Sequence, residues 1–113
     1  MISRRFVVLA LAFCLAAFVA PKIGLAAEDN VAQAISHTKE AITAGKAGHA
    51  PDLVTHSEAA LKYAEAAEKE TANPHTQEGI THLKEAIDTG KKAQAEVATK
   101  HAEQALTHLE QIK

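Results

Sequence analysis

Seven histidines stand in a spacing that chemistry can use. His75 and His82 are seven residues apart, with Glu78 between them. The same frame recurs as His49 to His56 around Asp52, and as His101 to His108 around Gln104. A fourth copy, Asn30 to His37 around Gln33, carries asparagine at its first position. Every histidine of the chain lies in this frame. Imidazole and carboxylate together suit divalent transition-metal ions, so the pattern points to metal binding. On a helix, residues seven apart share a face but stand about 10.5 Å apart at 1.5 Å per residue. A single ion with bonds near 2.1 Å cannot join them. Each histidine therefore needs other ligands, and the nearest are carboxylates one turn away. The candidate ligands are His37, His49, His56, His75, His82, His101 and His108, with Glu40, Asp52, Glu78 and Glu85. Such a donor set accepts Cu(II), Ni(II), Zn(II) or Co(II), and the affinity order favours copper. Sites of this kind are open, labile and modestly selective.

The elements that must position these groups read as helix. Alanine, glutamate, lysine, glutamine and leucine dominate from residue 27 onward, and all favour helix. Breaks divide this part into four helices, near 28–44, 51–71, 74–89 and 92–112. Gly45 and Gly48 end the first, and Pro51 suits the first turn of the second. Asn73 is placed to cap the third, with Pro74 at its first position. Gly90 is read as that helix's C-terminal residue; passage of the helix through it costs about 1 kcal/mol. Segment 30–46 aligns without a gap on 75–91, sharing Lys-Glu-Ala-Ile and a closing Gly-Lys. Helices one and three are thus copies, and helices two and four carry the other two histidine frames. The fold class is all-α: an up-down-up-down four-helix bundle built from a duplicated helical hairpin.

Counted from the start of each frame, apolar or small positions recur at +1, +4, +5 and +8, one stripe at helical period. The histidines at 0 and +7 fall roughly 90° from the stripe centre, at about 100° per residue. They are expected at the boundary of the core, with the acids at +3 further towards water. Antiparallel packing is expected to bring His75 and His108 to one end of the bundle. It puts His37, His82 and His101 near the middle, and His49 with His56 at the other end.

Residues 1–26 read as a cleaved export signal, and 27–113 as one metal-binding bundle. Arg4 and Arg5 precede an apolar run, Phe6 to Ala20, and small residues before Ala27 suit cleavage. The general secretory route fits better than the twin-arginine route, whose motif Ser3-Arg-Arg-Phe6 matches only in part. The expected location is the periplasm, with no stable membrane association after cleavage. Cys14 leaves with the signal, so the remaining 87 of 113 residues hold no cysteine or methionine. They keep all 14 acidic residues and 9 of 12 basic ones, moving the formal charge from −2 to −5. An acidic surface argues against nucleic acid and suits cations. The apolar content is mostly alanine, which predicts a thin core.

The histidines in heptad register, the Lys-Glu-Ala-Ile repeat and the cysteine-free body resemble the small metal-binding proteins of periplasmic copper handling in ammonia-oxidising bacteria. The resemblance runs from the signal to Lys113. It implies a monomeric four-helix bundle that sequesters or stores several divalent ions, copper preferentially. Asn30, Gln33 and Gln104 depart from the pattern and weaken a site at the start of helix one.

No enzyme motif is present. Di-metal carboxylate bundles use Glu-x-x-His pointing inward, yet no acid precedes a histidine by three here. His-Glu-x-x-His, a nucleophile elbow and a Gly-rich phosphate loop are absent too. The alternative is a helical-bundle chaperone or interaction protein in which the histidines are incidental. Retention on immobilised nickel, lost on acidification, separates the two.

Overall fold

The computed structural model describes residues 26–112. Of the segment 1–26 read as an export signal, residues 1–25 lie outside the described residues. Four helices follow: α1 (Ala26–Lys46), α2 (Ala50–Glu70), α3 (Pro74–Lys91) and α4 (Ala95–Leu109). Each packs on its sequence neighbours, and α1 also packs on α4, so the four close into a ring. The fold is the expected four-helix bundle. Among the described residues, no helix is long and apolar enough to cross a membrane.

The core follows the +4 and +8 positions. Ala34, Leu53, Leu83, Ala105 and Leu109 are fully buried. The +5 residues Ile35, Val54, Ile80 and Leu106 are only partly buried against them. Among the described residues, ten of the fourteen buried hydrophobic ones are alanine. With so little side chain between them, neighbouring helices can approach closely, and the flanks of each pair come within reach of one another.

Gly90 corrects the sequence reading. It does not end α3, which continues to Lys91. A Cβ there would stand 2.6 Å from Val54 Cγ2 and 3.3 Å from Leu53 Cδ2. Glycine is used to seat α3 against α2, and its conformational freedom is not needed. Asn73 caps α3 as expected, its side chain accepting from the His75 amide at 2.8 Å.

The two hairpin loops are the same device. After α1, the His49 amide bonds Ala44 O at 2.9 Å and the Gly48 amide bonds Gly45 O at 3.0 Å. After α3, Gln94 bonds Thr89 O at 3.0 Å and Ala93 bonds Gly90 O at 2.9 Å. This pair of bonds is a Schellman motif, which needs a left-handed residue at its turn. Gly48 supplies it at φ 81°, but the second loop forces Ala93 to φ 62°. All these positions differ by 45, the offset that takes His37 to His82. Loop, helix and histidine were therefore duplicated together.

Two substitutions follow from this comparison. Ala93→Gly should stabilise the bundle by roughly 0.5–1 kcal/mol by relieving the left-handed alanine, and Gly48→Ala should destabilise it by about as much. Urea denaturation of both variants checks the opposite signs. Ser57 is fully buried, and its hydroxyl has no hydrogen-bond partner among the described residues. Its equivalent in the other hairpin is the buried Ala102. Ser57→Ala should raise stability by about 1 kcal/mol, and an unchanged or lower urea midpoint would contradict this.

Candidate metal centre

The histidines lie where the stripe arithmetic puts them, on the flanks of the helix pairs. The side chains of His37, His82 and His101 are 28%, 20% and 27% exposed, between core and water. His49 differs: it precedes α2 as its N-cap residue and is 66% exposed.

Antiparallel pairing answers the 10.5 Å gap. In the α3–α4 hairpin the imidazoles form a ladder whose rungs alternate between helices. His75 (α3) to His108 (α4) is 5.7 Å between ring centroids, His108 to His82 (α3) is 5.5 Å, and His82 to His101 (α4) is 6.2 Å. Each helix inserts a histidine midway between two of its partner's. The α1–α2 hairpin repeats the ladder with fewer imidazoles. His37 lies 6.2 Å from His56, and on its other side stacks on Tyr63 at 5.6 Å and 7° between planes. Adding 45 maps His37, His56 and Tyr63 onto His82, His101 and His108.

Among the described residues, carboxylates complete three clusters: His37, Glu40 and His56; His82, Glu85 and His101; and Glu78, His82 and His108. Within each, one ligand atom per residue lies within 4.8 Å of the others. The first two clusters are duplicates. His37 Nδ1 and His56 Nδ1 meet Glu40 Oε1 at 3.2 and 3.3 Å. His82 Nδ1 and His101 Nδ1 meet Glu85 Oε1 at 3.1 and 3.2 Å. Two atoms bound to one ion at about 2.0–2.1 Å, at 90–109° to each other, stand roughly 2.9–3.4 Å apart. The observed separations fall in that window. A hydrogen bond could give the same distance, and His82 is aligned to make one to Glu85. His37 Nδ1 and His101 Nδ1 are not: both atoms are buried and unpartnered despite the short approach. In each duplicate, one buried nitrogen thus stands close to a carboxylate oxygen without bonding it, a spacing that fits a metal ion between the two atoms.

The remaining candidates join less fully. His75 Nδ1 stands 3.4 Å from His108 Nδ1, beside the third cluster but outside its three ligands. His49 reaches only Asp52, at 3.9 Å, and both side chains are exposed. The register places Ala44 on the rung between His49 and His56, so no imidazole links them. The layer expectation is thus corrected at one place: His56 joins His37 and not His49. His37 falls in a different cluster from His82 and His101. The heptad frame matches α2 to α4 one heptad out of phase. Extending the 30–46 match onward at the same offset pairs His56 with His101, and Tyr63 with His108. That extension was the available signal for Tyr63, which the histidine count overlooked.

Lysine–glutamate pairs lie elsewhere. Lys39–Glu110 and Lys46–Glu103 join α1 to α4, and Lys91–Glu58 joins α3 to α2. These are exposed pairs, each worth about 0–1 kcal/mol. Lys39, Lys46 and Lys91 thus find glutamates at the seams between hairpins, leaving Glu40 and Glu85 to the imidazoles within them.

A small helical bundle with imidazoles and carboxylates gathered on its flanks carries the donor set of a metal-binding protein. The model of the small metal-binding protein family matches residues 4–112. That is almost the whole chain, which belongs to this family. No curated protein matches it.

His56→Gln should lower Cu(II) affinity in the α1–α2 hairpin about tenfold or more, since one of three converging atoms is lost. The metal-free melting temperature should move little, because His56 is a boundary residue outside the buried core. Tyr63 is the only tyrosine and the chain has no tryptophan, so its emission reports this hairpin alone. Cu(II) should quench it in the native chain, and tenfold more Cu(II) should be needed in the variant.

Proposed function

We propose that this protein binds and buffers several divalent transition-metal ions, copper preferentially, in the periplasm. The observation that carries the reading is the duplicated cluster. In each hairpin, two imidazole nitrogens from antiparallel helices meet one carboxylate oxygen. Two nitrogens and an oxygen, with positions left for water, suit the tetragonal preference of Cu(II), and Cu(II) heads the affinity order for such ligands. Ni(II), Zn(II) and Co(II) are weaker occupants of the same donors. The ligands sit on half-exposed flanks, so a bound ion stays in reach of water and of competing ligands. That arrangement favours exchange over permanent retention.

The proposed role is binding, without catalysis: the ions are cargo. A monomer suffices, since each cluster is complete within one chain. Export rests on the basic and apolar pattern of residues 1–26, and the acidic charge of the remainder suits cation capture outside the cytoplasm.

Equilibrium dialysis against limiting Cu(II), with metal counted per chain, tests the reading. Two or more ions should bind the native chain, and fewer than one a variant with all seven histidines changed to glutamine. Equal weak uptake by both would sink it. Because each ion would tie two helices together and bind only the folded chain, saturating Cu(II) should also raise stability, by about 2.7 kcal/mol per site at a hundredfold excess over Kd. An unmoved thermal midpoint would count against cross-helix ligation. Acidification through the range in which imidazole generally protonates should release the metal, because protons compete for the same lone pairs.

A further inference from the structure

Two of the three clusters draw on one side chain. His82 stands with Glu85 and His101 on one side, and with Glu78 and His108 on the other. The duplication makes the comparison internal, because the other hairpin lacks this second set. Where the α3–α4 hairpin has Glu78, His108 and His75, the equivalent positions hold Gln33, Tyr63 and Asn30. Tyr63 stacks on His37 as His108 stacks on His82, at 5.6 and 5.5 Å with nearly parallel rings. It keeps the rung and removes the ligand.

We propose that the α3–α4 hairpin is a two-ion unit whose sites compete for His82, while the α1–α2 hairpin is a one-ion unit closed by Tyr63. The proposal rests on the reading that these clusters hold metal. A neutral imidazole has one lone pair to give, so an ion that holds His82 deprives its neighbour of a ligand. Two dications placed one ring apart also repel. His75, 3.4 Å from His108, gives the deprived site a substitute nitrogen. The second ion therefore enters, but more weakly than the first. The penalty is expected to be roughly tenfold or more, and linkage makes it equal whichever site fills first.

The test titrates Cu(II) into the full chain against a competing chelator of known affinity. Tyr63 emission follows the α1–α2 hairpin, and circular dichroism checks folding of each variant. The native chain should show one step that quenches Tyr63 and two unequal steps that do not. His101→Gln removes one competitor, so the ion at Glu78, His82 and His108 should tighten about tenfold relative to its place as second ion. His108→Gln should delete the weaker step and leave the stronger one within threefold. His82→Gln should weaken both steps and leave the Tyr63 step in place. In gain of function, Asn30→His and Gln33→Glu with Tyr63→His should add one ion per chain, counted by dialysis.

An unchanged weak step in His101→Gln would show independent sites and overturn the proposal. So would a second ion that binds as tightly as the first with a spin-coupled resonance signal, the mark of a ring bridging both ions. A triple variant that gains no ion would refute the role assigned to Tyr63. In these three cases the metal reading stands. A native chain that takes up no Cu(II) overturns the metal reading itself.

Discussion

The close approach of antiparallel helices within each hairpin governs the rest of the molecule. A histidine line at heptad spacing is useless to a single ion, because its members stand two turns apart. A second line, run in the opposite direction and phased by half a heptad, fills the gaps. This requires helix axes near enough for flanking imidazoles to meet, and the alanines at Ala34, Ala41, Ala60, Ala64, Ala86 and Ala105 permit it. Large core residues would push the lines apart. The thin core therefore has a structural purpose that its weak contribution to stability does not reveal.

Placing ligands at the boundary also settles a conflict. A fully buried imidazole–carboxylate pair would carry a desolvation penalty and exclude the solvent through which an ion arrives. A fully exposed pair would be mobile and poorly aligned, as the open His49–Asp52 contact illustrates. His37, His82 and His101 stand between these limits. Their ring stacking holds orientation while one edge stays wet. Lys39, Lys46 and Lys91 are placed in a complementary way, pairing with glutamates across the seams between hairpins and outside the ladders.

Much of this was legible in the sequence, and the illegible part has a definite cause. Period and composition indicate four helices, and stripe arithmetic puts the histidines at the boundary. Pairing of His82 with His101, and of His75 with His108, follows from antiparallel order alone. Pairing of His56 with His37 follows from the same order once the repeat is extended at its offset of 45, but the heptad frame matches His56 to His108 and hides it. The Schellman turns at Gly48 and Ala93 give both hairpins one phase, so His56 meets His37 as His101 meets His82. Gly90 misled for a related reason: glycine at a helix end and glycine at a tight helix crossing look alike until the partner helix is in place. Tyr63 was invisible to a search for ligands because its importance lies in not being one.

The ring formed when α1 packs on α4 has a consequence for how such a molecule can change. An open stack of hairpins could lengthen indefinitely, each added unit docking on the last. Here both outer faces are already spent on each other, so a third hairpin finds no seat. Capacity is then altered by exchanging single side chains on a fixed number of rungs. Asparagine, tyrosine and alanine at Asn30, Tyr63 and Ala44 are the three vacant berths of the first hairpin. The scaffold is closed in length and open in composition.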